Sequence, residues 1–146
     1  MNRVALMLLG SILYTSANSY ALDSSDVGTY AVVHRDGHVT NFTFYASVSA
    51  TKWNIEQKVP NGSWSNVTCE TDCILRDSNP KAIRRFFPAS VLKDIEPNCV
   101  HNSAFAFCNF THTSRPGSKG YVMVALVTQQ PTPVRLRKLS NERLAP

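Results

Sequence analysis

The chain has 146 residues, 43% of them hydrophobic, four cysteines and a formal net charge of +5. That is enough for one domain with a real core, so disulfides would reinforce the fold and not carry it alone. The charge is uneven. Leu22–Ser114 holds eight Lys/Arg against nine Asp/Glu, whereas Arg115–Pro146 holds six against one, so the basic character belongs to the C-terminal quarter.

Met1–Ala21 has the layout of a secretory signal. Arg3 supplies the basic start, Val4–Leu13 the apolar run, and Ser19 and Ala21 the small residues before a cut. The run is too short to span a bilayer, and no later segment offers a second span. The signal contains no cysteine, so no lipid anchor is indicated. The expected location is the periplasm or the extracellular medium, which also removes nucleic acid as a partner. The expected organisation is a signal over 1–21, one globular domain over 22–140 and a disordered tail over 141–146.

Gly28–Arg35 and His38–Ser47 are rich in β-branched and aromatic residues and flank Asp36-Gly37, a strong hairpin signal. Lys52–Val59 alternates, with Trp53, Ile55 and Gln57 on one face. Asn61-Gly62 then predicts a second turn into Ser63–Cys69. Whether Trp53 and Trp64 share a face depends on a register that the pattern leaves open. Thr71–Pro80 reads as irregular. Asn79-Pro80 is a helix start, with Asn79 as the cap and Pro80 at the first position, and Pro88 should end or kink that helix. Ala89–Ile95 is a second helical turn closed by Pro97, and Ile83, Phe86, Phe87, Val91, Leu92 and Ile95 are expected to face the sheet.

Ser103–Thr113 alternates, with Phe105 and Phe107 on one face and Ala104, Ala106, Cys108 and Phe110 on the other. Arg115–Gly120 reads as a turn by composition. Tyr121–Thr128 is an unbroken apolar run, the best candidate for a central strand. Val134–Leu139 alternates weakly with outward arginines, as an edge strand would. The fold class expected is α+β: an antiparallel sheet built of hairpins with one short helical segment packed on it, disulfide-braced.

Cys69, Cys73, Cys99 and Cys108 allow three pairings. Locality favours Cys69–Cys73 with Cys99–Cys108, each short loop contributing about 2–3 kcal/mol. A zinc site on the four cysteines is the sharper alternative, and export to an oxidising compartment argues against it. Cys69-x-x-x-Cys73 lacks the spacing and the following helix of a redox pair.

His34 and His38 flank the first turn, where a surface metal or a base can be imagined, and the plainer reading is two exposed polar residues. A Ser103–His101–Asp94 triad can be drawn, but no nucleophile elbow supports it. Glu70 and Asp72, or Asp94 and Glu96, are paired carboxylates of unknown separation. Asn41, Asn61, Asn66 and Asn109 each open a glycosylation-type triplet, as an Asn-, Ser- and Thr-rich chain will by chance.

No motif identifies a reaction, and neither a cofactor nor a bound metal is called for. The leading expectation is a small exported binding protein, of the inhibitor or immunity type, acting on a protein partner in the envelope or medium. The rigid loop carrying Glu70 and Asp72 is the first candidate for contact, and the basic stretch Arg135, Arg137 and Lys138 the second. The alternatives are an exported hydrolase of envelope polymers using His101 or His38 with a carboxylate, and an assembly component docking through the edge strand Val134–Leu139.

Overall fold

The computed structural model describes residues 21–58, 62–67, 69 and 71–145. Met1–Tyr20 of the expected signal, Asn61 of the second turn and Glu70 of the candidate loop lie outside them. Among the described residues nine strands form one antiparallel sheet: β1 (Gly28–Val33), β2 (Val39–Ser49), β3 (Lys52–Lys58), β4 (Ser65–Asn66), β5 (Arg76–Asp77), β6 (Ile95–His101), β7 (Phe105–His112), β8 (Arg115–Ala125) and β9 (Thr132–Ser140). Their order is β4-β3-β2-β1-β9-β8-β7-β6-β5. The sheet is thus two meanders, β1–β4 and β5–β9, joined where the first strand meets the last. Two short helices, α1 (Pro80–Phe86) and α2 (Ala89–Leu92), complete a sheet-dominated α+β architecture with two disulfides.

The connectivity forces this sheet to curl. Strands β4 and β5 are its opposite edges, yet residues 67–75 alone connect them. Eight inter-strand gaps in a flat sheet would separate those edges by about 38 Å. The ten Cα steps from Asn66 to Arg76 reach about 36 Å only when fully extended. The Cys69–Cys73 bond holds its Cα atoms 5.5 Å apart, which shortens the reach further. A flat sheet is therefore excluded, and the rings confirm it. Trp53 on β3 approaches Phe107 on β7, five positions away in the strand order, with centroids 6.3 Å apart.

Alternation sorts the side chains onto two faces. The concave face buries Tyr30, Ala46, Ile55, Val100, Phe105, Phe107, Met123 and Leu136. On the convex face Phe86 and Phe87 from the helical segment pack on Cys99, Ala106, Cys108, Val122 and Val124. Trp53 belongs to the inner face, whereas Trp64 packs against Tyr45 outside, so the two tryptophans face opposite sides. In α1 the Asn79 side chain accepts from the Ala82 amide at 2.9 Å and Pro80 fills the first position. Phe87 turns extended ahead of Pro88, and α2 begins directly after it.

The fold departs from the sequence reading at five places. The Val134–Leu139 segment is not an edge: β9 lies between β1 and β8, with Leu136 buried. Its arginines point to the convex face, a pattern that an edge and a solvated central strand share. Pro97, expected to close the helical segment, sits within β6. It is tolerated because β5 pairs only with Val100 and His101 and leaves the outer side of β6 open at Pro97. Arg115–Gly120 is strand, and the turn is the tighter Thr113-Ser114. The second helical turn, expected over Ala89–Ile95, ends at Leu92, and Ile95 opens β6. The tail, expected to be disordered, lies across the outer face of β1–β4 as far as Ala145. The Thr29 hydroxyl donates to the Glu142 carbonyl at 2.6 Å, the Trp64 indole to the Leu144 carbonyl at 3.3 Å, and Arg143 pairs with Glu56 at 3.3 Å.

Candidate functional site

The cysteines pair as Cys69–Cys73 and Cys99–Cys108. The second bond joins directly opposite residues of β6 and β7, with Cα atoms 4.1 Å apart. Around the first, Asp72 adopts a left-handed conformation, φ 48°, and its carboxylate receives Arg76 Nη1 at 2.7 and 2.8 Å. Asp72 is therefore exposed but charge-compensated, a weaker acidic projection than the sequence promised. The loop is tied to the β6–β7 turn: Ser103 Oγ donates to the Thr71 carbonyl and Asn102 Nδ2 to the Cys73 carbonyl.

Between loop and helix lies a cleft of about 220 Å³ lined by Asp72, Arg76, Arg85, His101 and Ser103 among others. His101 Nδ1 bonds to Ser78 Oγ at 2.7 Å and its ring meets Phe86 edge-on. Burial, reinforced by Arg85 and Arg76, holds this imidazole below its ordinary pKa. The drawn triad does not assemble. Ser103 is occupied by Thr71, His101 by Ser78, and the Asp94 carbonyl accepts from Thr113 at the far end of β6 and β7. Glu96 is exposed on the same strand and makes no approach to His101.

Arg135, Arg137 and Lys138 line one concavity of about 320 Å³, but their side chains leave the strand in two directions. Strand alternation sends Arg135 and Arg137 to the convex face and Lys138 inward. There Lys138 Nζ donates to the Ser25 carbonyl at 2.6 Å and lies 5.9 Å from the Tyr30 ring centre. Burial lowers its pKa, partly countered by Asp26. Asp26 itself is fully buried on the N-terminal turn Ser24–Asp26. Its carboxylate accepts from Lys119 Nζ (2.9 Å), Asn109 Nδ2 (3.0 Å), the Asp23 amide (2.9 Å) and the Tyr121 hydroxyl (3.1 Å). Both carboxylate oxygens are used twice, so this network locks the Ser24–Asp26 turn to the sheet.

Arg135 instead helps form a groove of about 880 Å³ between the helical segment and the convex face. Its floor is Phe86, Phe87, Ile95, Phe110 and Val122, with Val91, Pro131 and Pro133 at the walls. The Phe110 ring lies directly over Gly120, whose missing side chain makes that position possible. Arg84, Arg85, Arg135 and His112 stand on the rim, and no acidic residue lines it. Among the described residues none of the three arginines has an ion-pair or side-chain hydrogen-bond partner, whereas Arg76 and Arg143 are both paired. The sequence reading selected Arg135 but passed over Arg84 and Arg85, whose signal was two arginines beside Phe86-Phe87 in a capped helix. Comparison with protein-family models, with curated proteins and with solved structures finds no match.

Proposed function

We propose that this chain is a small exported binding protein that works without catalysis, and that it binds through the convex groove. The export half of the reading is supported by the basic-apolar-small pattern of Met1–Ala21 and by two disulfides. Among the described residues no helix is long and apolar enough to cross a membrane.

The observation that carries the binding half is the pairing of an apolar floor with three arginines that have no partner among the described residues. Pockets that hold small ligands are mainly apolar with a few placed polar groups, and their volumes run to roughly 1,000 Å³. The occupant that matches this lining is an amphipathic anion: a hydrocarbon chain over Phe86, Phe87, Phe110 and Val122, with a carboxylate or similar head at Arg84, Arg85 or Arg135. A guanidinium offers planar paired donors to a carboxylate, which sets the orientation of the chain. Val91 remains 37% exposed above this surface, apolar area that an occupant would cover.

Sodium dodecanoate, kept below its micelle concentration, is the probe. It should bind saturably and shift the amide resonances of α1, α2 and β8, while dodecanol and dodecyltrimethylammonium bind at least about tenfold more weakly, the price in affinity of one lost charged contact. Arg84→Ser with Arg135→Ser should abolish that preference while leaving the melting temperature nearly unchanged, since both side chains are exposed. Equal binding of the three amphiphiles, or shifts centred away from the groove, would overturn the assignment. Failure of dodecanoate alongside charge-dependent binding of an acidic, apolar protein segment would replace the small ligand by a protein partner and likewise overturn it.

A further inference from the structure

The β1–β2 connection brings three metal-ligating side chains together, none of which lines the groove. The turn is a type I turn followed by a glycine bulge. The Gly37 amide donates to the His34 carbonyl at 2.9 Å, the His34 amide to the His38 carbonyl at 2.9 Å, and Gly37 alone takes a positive φ, 92°. This three-residue loop differs from the two-residue turn implied by Asp36-Gly37, and the difference matters. It sets His34 and His38 across from each other, with their rings stacked at 4.9 Å, and folds Asp36 back between them. Asp36 Oδ1 lies 3.2 Å from His34 Nδ1 and 2.6 Å from His38 Nδ1, and one donor atom from each residue lies within 4.8 Å of the others.

We propose that His34, Asp36 and His38 form a binding site for a single divalent transition-metal ion, zinc being the natural probe. Ligand distances of about 2.0–2.2 Å around tetrahedral zinc require donor atoms roughly 3.3 Å apart. The His34–Asp36 edge already has that length, and the His38–Asp36 edge must open by a fraction of an ångström. Both imidazoles and the carboxylate are more than half exposed, so they rotate without disturbing any packing. Two imidazole nitrogens and one carboxylate oxygen form a donor set suited to zinc, nickel or copper(II) and poor for calcium or magnesium. Three protein ligands leave a fourth position, which faces bulk water here. The turn supplies the pre-organisation: the His38 amide donates to Asp36 Oδ1 at 3.1 Å and fixes the carboxylate before any ion arrives. This site is independent of the groove, and success or failure of one assignment leaves the other untouched.

The experiment is a titration of the chain, carrying no added histidine tag, with zinc chloride, followed by calorimetry and by amide NMR. One ion per chain should bind, with shifts confined to residues 33–39. His38→Ala and, separately, Asp36→Asn should each weaken binding at least about tenfold, since losing even an outer hydrogen-bonding partner costs a metal site roughly 10–100-fold. Asp36→Asn keeps the turn-forming side-chain oxygen, so a loss there reports the ligand and not the loop. Absence of saturable binding up to about 1 mM zinc, or binding that both variants leave unaltered, would overturn the site. So would shifts centred outside the turn.

Discussion

Replacing Asp26 by Ala tests whether the N-terminal turn holds the sheet together. The Asp26 side chain is 0% exposed and accepts four hydrogen bonds, one from a lysine. The consequences differ by donor. Lys119 is one-third exposed and can turn to water. Asn109 is 2% exposed and the Tyr121 hydroxyl points inward, so both lose a partner that water does not replace. An unsatisfied buried donor costs about 1–3 kcal/mol and a broken buried ion pair about 3–5 kcal/mol in all. The upper range is reached through the two buried donors left without an acceptor, since the lysine left behind can reach water. Against a typical total stability of about 5–15 kcal/mol that is a large fraction. For a domain of this size the melting temperature should fall by about 10–20 °C. Thermal unfolding followed by circular dichroism measures it, and a cycle with Lys119→Met separates the ion pair from the other three bonds. Tyr121 gives a second readout. Burial first, then Asp26, pushes its phenol up to about 12, so Asp26→Ala should bring its ultraviolet titration back toward the ordinary range. A loss below about 1 kcal/mol with an unmoved tyrosine titration would show that the network contributes nothing to holding the turn.

Three further outcomes are expected. Gly28→Ala should destabilise by about 2–4 kcal/mol, because its φ is 154° and a Cβ there would overlap the Ser140 backbone carbonyl; Gly117→Ala, with φ 92° but open space around it, should cost only about 1–2 kcal/mol of backbone strain. Chemical denaturation of both variants checks the contrast, and equal losses would contradict it. The depressed pKa of His101 means that the unfolded chain binds its proton more readily; this contribution to stability is complete above about pH 6.5 and is lost as pH falls through the native value, and His101→Gln should flatten that part of the stability–pH curve. Deleting residues 141–146 should uncover Thr29 and Trp64, shift the tryptophan emission to the red and lower stability by about 1–2 kcal/mol, the worth of one or two hydrogen bonds; an unchanged spectrum would show the tail to be unattached.

Local features were legible in the sequence and long-range ones were not. Asn79-Pro80 announces the helix because capping acts within four residues, and the alternation of Phe105–Phe110 reads directly as two faces. The disulfide pairing followed from proximity along the chain. By contrast, Val134–Leu139 was misplaced at an edge, since nothing in VRLRKL states that residues 28–33 will pair with it. The groove escaped notice for the same reason: Arg84 and Arg135 are 51 positions apart and meet only through the convex face. At the first turn, Asp-Gly gave the reversal but not the loop length, and one residue of difference decides whether two histidines flank a carboxylate.

The pairing of β1 with β9 also sets the order of events in the life of the chain. Thr29 lies opposite Ser140, and its hydroxyl donates to the Glu142 carbonyl, so the first strand obtains its second neighbour only when residues 132–142 have been made. Until then β1 has one open side, and the meander formed with β2–β4 cannot seal its interior. Contacts separated by more than a hundred residues form slowly. A nascent chain must therefore wait in an incomplete state until β9 is free to pair, and the release of that strand sets the moment at which this sheet becomes complete.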